Sequence, residues 1–246
     1  MMKEKIRVAA AKRRILDALP VKTRVLIPAA VLALFSSCTG FFSTSLASWA
    51  QRDPASLVPA VTAGNVNGLI DDAAGDPSLS LAILNRIRES AATALGAEKT
   101  VLQAASLRAA VNAAAPARAV LNHIDENTEV NSGNAAGLFN LVIADLKNLP
   151  QTAGALREIL PAVFVPGNSE FDAFIGASDP YYLAMAATVL FADDAARSGN
   201  IAAYVNGYAA PGASPLAEAL AQAAMDRGGD SLGIMGDFLD NLNLSN

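Results

Sequence analysis

Four dipeptides place a helix-capping side chain directly before a proline, and they constrain the fold of this chain more than any other feature. They are Asp53-Pro54, Asp76-Pro77, Asp179-Pro180 and Ser214-Pro215. Aspartate and serine accept hydrogen bonds from the first free N–H groups of a helix, and proline is tolerated at the first helical position. Each pair therefore predicts the start of a helix.

Glycine and proline predict where the long helices end. With Gly96, Pro116, Gly199 and Gly228 as stops, the expected long helices span about 77–95, 98–115, 180–198 and 215–227. Weaker patterns predict helices at about 55–73, 133–148, 151–163, 168–177, 200–209 and 230–243.

The first long helix carries an apolar residue at every fourth position, at Leu79, Ile83, Ile87, Ala91 and Leu95. This spacing predicts one buried stripe along the helix. Because the next helix follows after a very short turn, we expect the two to form an antiparallel hairpin.

Composition agrees with an all-α fold. Aromatic residues make up only 6% of the chain, and alanine is abundant, which favours close helix packing over β-strands. The starts at Asp179-Pro180 and Ser214-Pro215 lie about one tetratricopeptide period apart, but the caps expected at intermediate periods are missing. Antiparallel hairpins are thus expected to form either a degenerate tetratricopeptide-like repeat or a compact helical bundle.

The first 37 residues have the organisation of a lipoprotein signal peptide. Eight of the 18 basic residues lie in this segment, ahead of and flanking a short apolar run at 25–35. Ser36 and Ser37 then provide small residues before Cys38, the only cysteine. With Leu34 and Phe35, this stretch resembles the cleavage boxes of spirochaete lipoproteins. The resemblance implies a signal peptide over 1–37 and acyl chains, such as palmitate, on Cys38.

Two other outcomes compete at the N-terminus. An ordinary secretory peptidase could cut after Ala47 or Ala50, which would remove Cys38 with the signal. An uncleaved anchor helix could instead continue through Phe41-Phe42. Under the lipoprotein interpretation, residues 38–52 form a tether and residues 53–246 form a single helical domain.

Charge restricts the partners of the processed chain. Residues 38–246 carry 10 basic and 21 acidic side chains, a net charge near −11. Nucleic acid is therefore not an expected partner. Attachment to the inner or outer membrane would come from the acyl chains, on the periplasmic side of the envelope. With Cys38 acylated, no thiol remains for a disulfide.

Residues for nucleophilic catalysis or metal binding are scarce, and we expect no enzyme activity, cofactor or metal. His123 is the only histidine and is expected on a surface helix end or loop. The alternating oxygens of Asp125, Asn127, Glu129 and Asn131 begin like a calcium loop. Val130 and Ala136 stand where such a loop needs glycine and a bidentate glutamate. The pairs Asp71-Asp72 and Asp193-Asp194 are expected to be exposed charge.

Aromatic side chains gather in one region of this aromatic-poor chain. They are Phe164, Phe171, Phe174, Tyr181 and Tyr182. The cluster could line a pocket or a partner surface, or it could fill the core at a helix junction.

Two segments resemble the T components of tripartite ATP-independent periplasmic transporters. The first runs from Asp76-Pro77-Ser78-Leu79 to Leu95 and continues at 101–106, and the second runs from Asp179-Pro180-Tyr181-Tyr182 to Gly199. That family consists of lipoproteins with cryptic tetratricopeptide helices. The resemblance implies a periplasmic solute-binding protein as partner and assembly into a homo-oligomer.

These observations predict a lipid-anchored, non-enzymatic helical scaffold that binds another protein. The alternative is a carrier of a hydrophobic small molecule or lipid, with the five aromatic residues lining an apolar cavity. The scaffold hypothesis expects the aromatic cluster on a partner surface, whereas the carrier hypothesis expects it to line a cavity.

Overall fold

The computed structural model describes residues 53–123, 135–201 and 214–233, together with Gly236 and Leu239. The described part is all helical, with no strand in these ranges. Its helices, which belong to one compact unit, Pro54–Asn246, are α1 Pro54–Leu57, α2 Val66–Asp72, α3 Pro77–Ala91, α4 Gly96–Ala114, α5 Pro116–Leu121, α6 Ala135–Asp145, α7 Leu149–Ile159, α8 Ser169–Ala177, α9 Pro180–Ser198 and α10 Pro215–Gly228. A 3₁₀ turn follows at Gly229–Leu232.

Two of the capped starts work as the sequence predicts. The carboxylate of Asp76 accepts hydrogen bonds from the N–H groups of Ser78 and Leu79 at 2.9 and 3.0 Å. Asp179 accepts from the N–H of Tyr181 at 2.8 Å and begins α9. The left-handed Gly199 ends α9, so its predicted span of 180–198 is confirmed.

Ser214 begins α10 without a capping hydrogen bond from its side chain. The described part of the predicted helix at 230–243 starts as the 3₁₀ turn, while 202–209 lie outside the described residues.

The predicted helix at 55–73 is wrong as one element, because it divides into α1 and α2. Between them, Asn65 accepts a hydrogen bond from the N–H of Thr62 at 2.8 Å and donates to the carbonyl of Ala60 at 2.9 Å. These bonds hold a turn in place of a continuous helix.

Gly96 does not end the first long helix. That helix, α3, already ends at Ala91, and Gly96 is the first residue of α4, with a positive φ of 54°. The hydroxyl of Thr93 bonds to the carbonyl of Ser90 at 3.2 Å, which competes with continuation of the helix. The apolar stripe therefore stops one turn early: Ile83 and Ile87 are buried as predicted, whereas Leu95 is 83% exposed.

Helix α9 forms the centre of the fold. Every residue from Leu183 to Ala195 is buried, so the helix is covered on all sides. It packs against α10 most extensively and also contacts α4, α5, α6 and α7. A helix that contacts segments far apart in sequence is typical of a bundle, since repeats of a solenoid contact only their neighbours.

Asp193 and Asp194 are buried within α9, at 3% and 5% exposure, and the expectation that they are exposed charge is wrong. The guanidinium of Arg157 on α7 reaches both carboxylates, at 2.6 and 2.8 Å. Arg197, one turn further along α9, also pairs with both. Two arginines thus neutralise two buried carboxylates, and these ion pairs offset the free-energy cost of removing the carboxylates from water.

Asp194 also fixes where α10 begins. Its second carboxylate oxygen accepts a hydrogen bond from the N–H of Ser214 at 3.2 Å, which ties the start of α10 to α9. Burial raises the pKa of Asp194, while Arg157 and Arg197 act in the opposite direction. Asp71 and Asp72, by contrast, are exposed as predicted.

We predict that Arg157→Met destabilises the protein by about 3 kcal/mol, because it leaves two buried carboxylates with one arginine. Arg86→Met is the matched control, since Arg86 forms an exposed pair with Glu89 that contributes at most about 1 kcal/mol. Urea unfolding of both variants measures the difference. Equal, small losses of stability would contradict the central role of the Arg157 network.

Candidate functional site

A groove of about 690 Å³ lies between the first turns of α4 and α8. Leu95, Ala97, Val101 and Ala173 contribute apolar surface to it. Its polar lining includes Lys99, Thr100, Gln103, Ser169 and Glu170. The groove therefore combines an apolar wall with a small number of polar groups, which is the usual composition of a binding site.

Leu95 dominates the apolar wall of this groove. It is the most exposed of the large hydrophobic side chains in the described ranges, and Val101 on the next turn of α4 is 38% exposed. Leu95 precedes α4 in an extended conformation, and it cannot cap the helix with its side chain. The first N–H groups of α4 therefore receive no capping hydrogen bond from a side chain, and the residue that precedes them is an exposed leucine.

Gln103 is fully buried where the groove meets the core. Its amide Nε2 donates to the carbonyl of Ile159 at 3.0 Å and to Oε1 of Glu170 at 3.3 Å. Its Oε1 has no hydrogen-bond partner among the described residues. A buried acceptor without a donor costs about 1–3 kcal/mol, so the position of Gln103 carries a cost to stability.

A salt bridge crosses the polar side of the groove. Nζ of Lys99 lies 2.7 Å from Oε1 of Glu170 and links α4 to α8. The hydrogen bond from Lys99 is the largest cause of a lowered pKa at Glu170, and the bond from Gln103 adds to it. Glu170 therefore remains ionised in mildly acidic solution, and the groove keeps its charge pair.

The aromatic cluster does not line this groove. Phe171 and Phe174 of α8 are buried in the core, with ring centroids 6.3 Å apart. Tyr181 and Tyr182 at the start of α9 meet edge to face, with centroids 5.4 Å apart. Tyr181 is partly exposed, whereas Phe164 and Tyr182 pack partly buried against the core.

His123 lies in the turn after α5, half-buried beside Asp145 at the end of α6. Its Nε2 lies 3.1 Å from Oδ2 of Asp145, and the same oxygen accepts a hydrogen bond from Asn122 at 3.0 Å. The sequence predicts the helix-end position of His123 but not this carboxylate partner, which is 22 residues away. Asp145 and Asn122 also line a second, smaller pocket formed where α5 meets the end of α6.

Other candidates from the sequence are outside the described residues. They are Cys38 and the loop residues Asp125, Asn127, Glu129 and Asn131. Among the residues that are described, no three His, Cys, Asp or Glu side chains are placed to hold a metal ion. No described helix combines the length and apolar character needed to cross a bilayer.

Comparisons with protein-family models, with curated proteins and with solved structures found no match for this chain.

We predict that Lys99→Met raises the pKa of Glu170 towards its ordinary value, because the strongest hydrogen bond to the carboxylate is lost. A carboxyl with a depressed folded pKa stabilises the fold above its unfolded pKa, near 4.3, and this contribution disappears as pH falls through the folded value. The variant should therefore lose less stability than wild type on acidification.

Carbon NMR titration of the Glu170 carboxyl measures this change directly. Arg88→Met serves as the control, since Arg88 pairs with Glu158 at 3.6 Å rather than with Glu170. An unchanged Glu170 titration in Lys99→Met would show that the salt bridge across the groove does not form in solution.

Proposed function

We propose that this chain is a non-enzymatic, lipid-anchored helical scaffold on the periplasmic side of the cell envelope, which binds a partner protein in the groove between α4 and α8. The observation that carries the proposal is the exposed apolar wall of Leu95 and Val101 beside the Lys99–Glu170 salt bridge in one groove. Acyl chains on Cys38 would hold the scaffold at the membrane.

A polypeptide segment fits the chemistry of this groove. An aliphatic side chain of such a segment can cover Leu95 and Val101, and its backbone groups can hydrogen-bond with the polar lining of the groove. Covering an exposed leucine contributes about 1.5–3 kcal/mol. One short apolar segment can therefore make both contacts at once.

Charge adds a second condition on the partner. Residues 38–246 are strongly acidic, with a net charge near −11, so a partner with a basic surface around its apolar segment would associate faster. The resemblance to T components suggests the solute-binding protein of a transporter as this partner. It also suggests a homo-oligomer, in which several grooves would be presented together.

Photocrosslinking in cells tests the groove directly. A photoreactive amino acid replaces Val101 in the groove, and Leu141 on α6, which is 47% exposed, is the matched control position. We expect crosslinking to one defined polypeptide from position 101 only. Leu95→Asp should weaken that crosslink about tenfold or more, through loss of at least 1.4 kcal/mol of apolar contact.

The fold should survive this substitution because Leu95 is exposed, and circular dichroism checks that it does. Equal crosslinking from positions 101 and 141, or an insensitivity to Leu95→Asp, would contradict the proposal. Capture of a lipid in place of a protein would instead favour the carrier hypothesis.

A further inference from the structure

The basic residues of the helical unit are almost all satisfied within it. Six of the nine lysines and arginines after residue 53 form ion pairs with carboxylates; they are Arg86, Arg88, Lys99, Arg108, Arg157 and Arg197. A seventh, Arg227, donates to the backbone carbonyls of Ile175 and Ser178. Such extensive pairing is expected in a unit with a large excess of acidic residues.

The two remaining cations, Arg118 and Lys147, line one pocket of about 470 Å³. Arg118 comes from α5, and Lys147 comes from the link between α6 and α7. Neither forms an ion pair within 4.0 Å or a side-chain hydrogen bond with any described residue. Two positive charges from separate elements, with no ion pair within 4.0 Å among the described residues, thus meet in one concave site.

The backbone around this pocket is fixed by hydrogen bonds. The N–H of Lys147 donates to the carbonyl of Ala114 at 3.0 Å, and the side chain of Asn148 donates to the carbonyl of Ala113 at 3.2 Å. Ala115, which lines the pocket, and Asn148 have positive φ values of 52° and 47°. They are the non-glycine residues with left-handed backbones in the described ranges, and such strain concentrates at functional sites.

One carboxylate, Asp145, also lines the pocket. The pKa of Asp145 is lowered chiefly by the hydrogen bond from Asn122, and His123 and Lys147 contribute further. It is therefore ionised at neutral pH. The pocket lining thus has two cationic side chains, Arg118 and Lys147, and one carboxylate, Asp145, which favours an anionic ligand.

We propose that this pocket binds a phosphate group, supplied either by a small solute or by a phospholipid headgroup. A phosphate carries more oxygens and more negative charge than a carboxylate, so it can accept charge-assisted hydrogen bonds from two cations at once. The guanidinium of Arg118 and the ammonium of Lys147 would share these oxygens, and the amide of Asn122 lies at the same pocket. The site is separate from the groove between α4 and α8.

Phosphorus NMR of the full chain in detergent tests this proposal with two probes, inorganic phosphate and soluble dihexanoyl phosphatidylglycerol. We expect saturable line broadening of at least one probe. In Arg118→Gln/Lys147→Gln the apparent affinity should fall about tenfold or more, since two charge-assisted contacts are lost. Arg86→Gln/Arg88→Gln removes the same charge from the surface and should bind like wild type.

The outcomes separate the sources and the alternatives. Binding of inorganic phosphate supports a solute, and binding of the short-chain lipid alone supports a headgroup. Absence of saturable broadening with both probes, or binding that persists in the Arg118/Lys147 variant, overturns the proposal. Phosphate binding that appears only in Asp125→Asn/Glu126→Gln/Glu129→Gln overturns it too, because the chain's own carboxylates would then occupy the site.

Discussion

The salt bridges from Arg157 to Asp193 and Asp194 make the central helix possible. Helix α9 is enclosed by its neighbours for most of its length, so any charge on it must be neutralised inside the protein. Arg157 on α7 provides the neutralising charge. The same carboxylates also pair with Arg197, and Asp194 accepts a hydrogen bond from the first residue before α10. One ionic network thus sets the relative positions of three helices, and the remaining apolar contacts pack around α9.

The groove between α4 and α8 follows from how the chain leaves this core. Gln103 on α4 binds the end of α7 and Glu170 on α8, so both walls of the groove are held to the bundle. Helix α3 stops at Ala91, a turn follows, and Leu95 in an extended conformation before α4 is exposed to solvent. An apolar side chain is therefore presented on a rigid support, which lowers the entropic cost of binding a partner.

Local signals predicted much of the helical fold, and the misses have local or tertiary causes. Asp179-Pro180 and Gly199 specify α9 because capping and left-handed termination depend on neighbouring residues. The prediction that Gly96 ends a helix fails, because a glycine with positive φ can begin a helix as readily as end one. Burial of Asp193 and Asp194 depends on Arg157, which is 36 residues distant, and no periodicity reveals such a partner.

The sequence predicts the candidate sites less well than it predicts the fold. The helical periodicity predicts a buried Leu95, so it does not predict the groove. The sequence leaves the aromatic cluster open between a pocket and the core, and Phe171 and Phe174 lie in the core. Gln103 has no distinctive sequence context, and only its burial identifies it. Arg118 and Lys147 stand out only when the ion pairs of the other cations are known, because these two form none within 4.0 Å among the described residues.

The proposed scaffold depends above all on where the processed chain is anchored, because location decides which proteins can reach the groove. The intact mass of protein extracted from membranes measures this directly. The account predicts a chain that begins at Cys38 and carries acyl chains. An unmodified chain that begins near Ser48 or Gln51, or one that retains residues 1–37, would contradict a lipid-anchored scaffold.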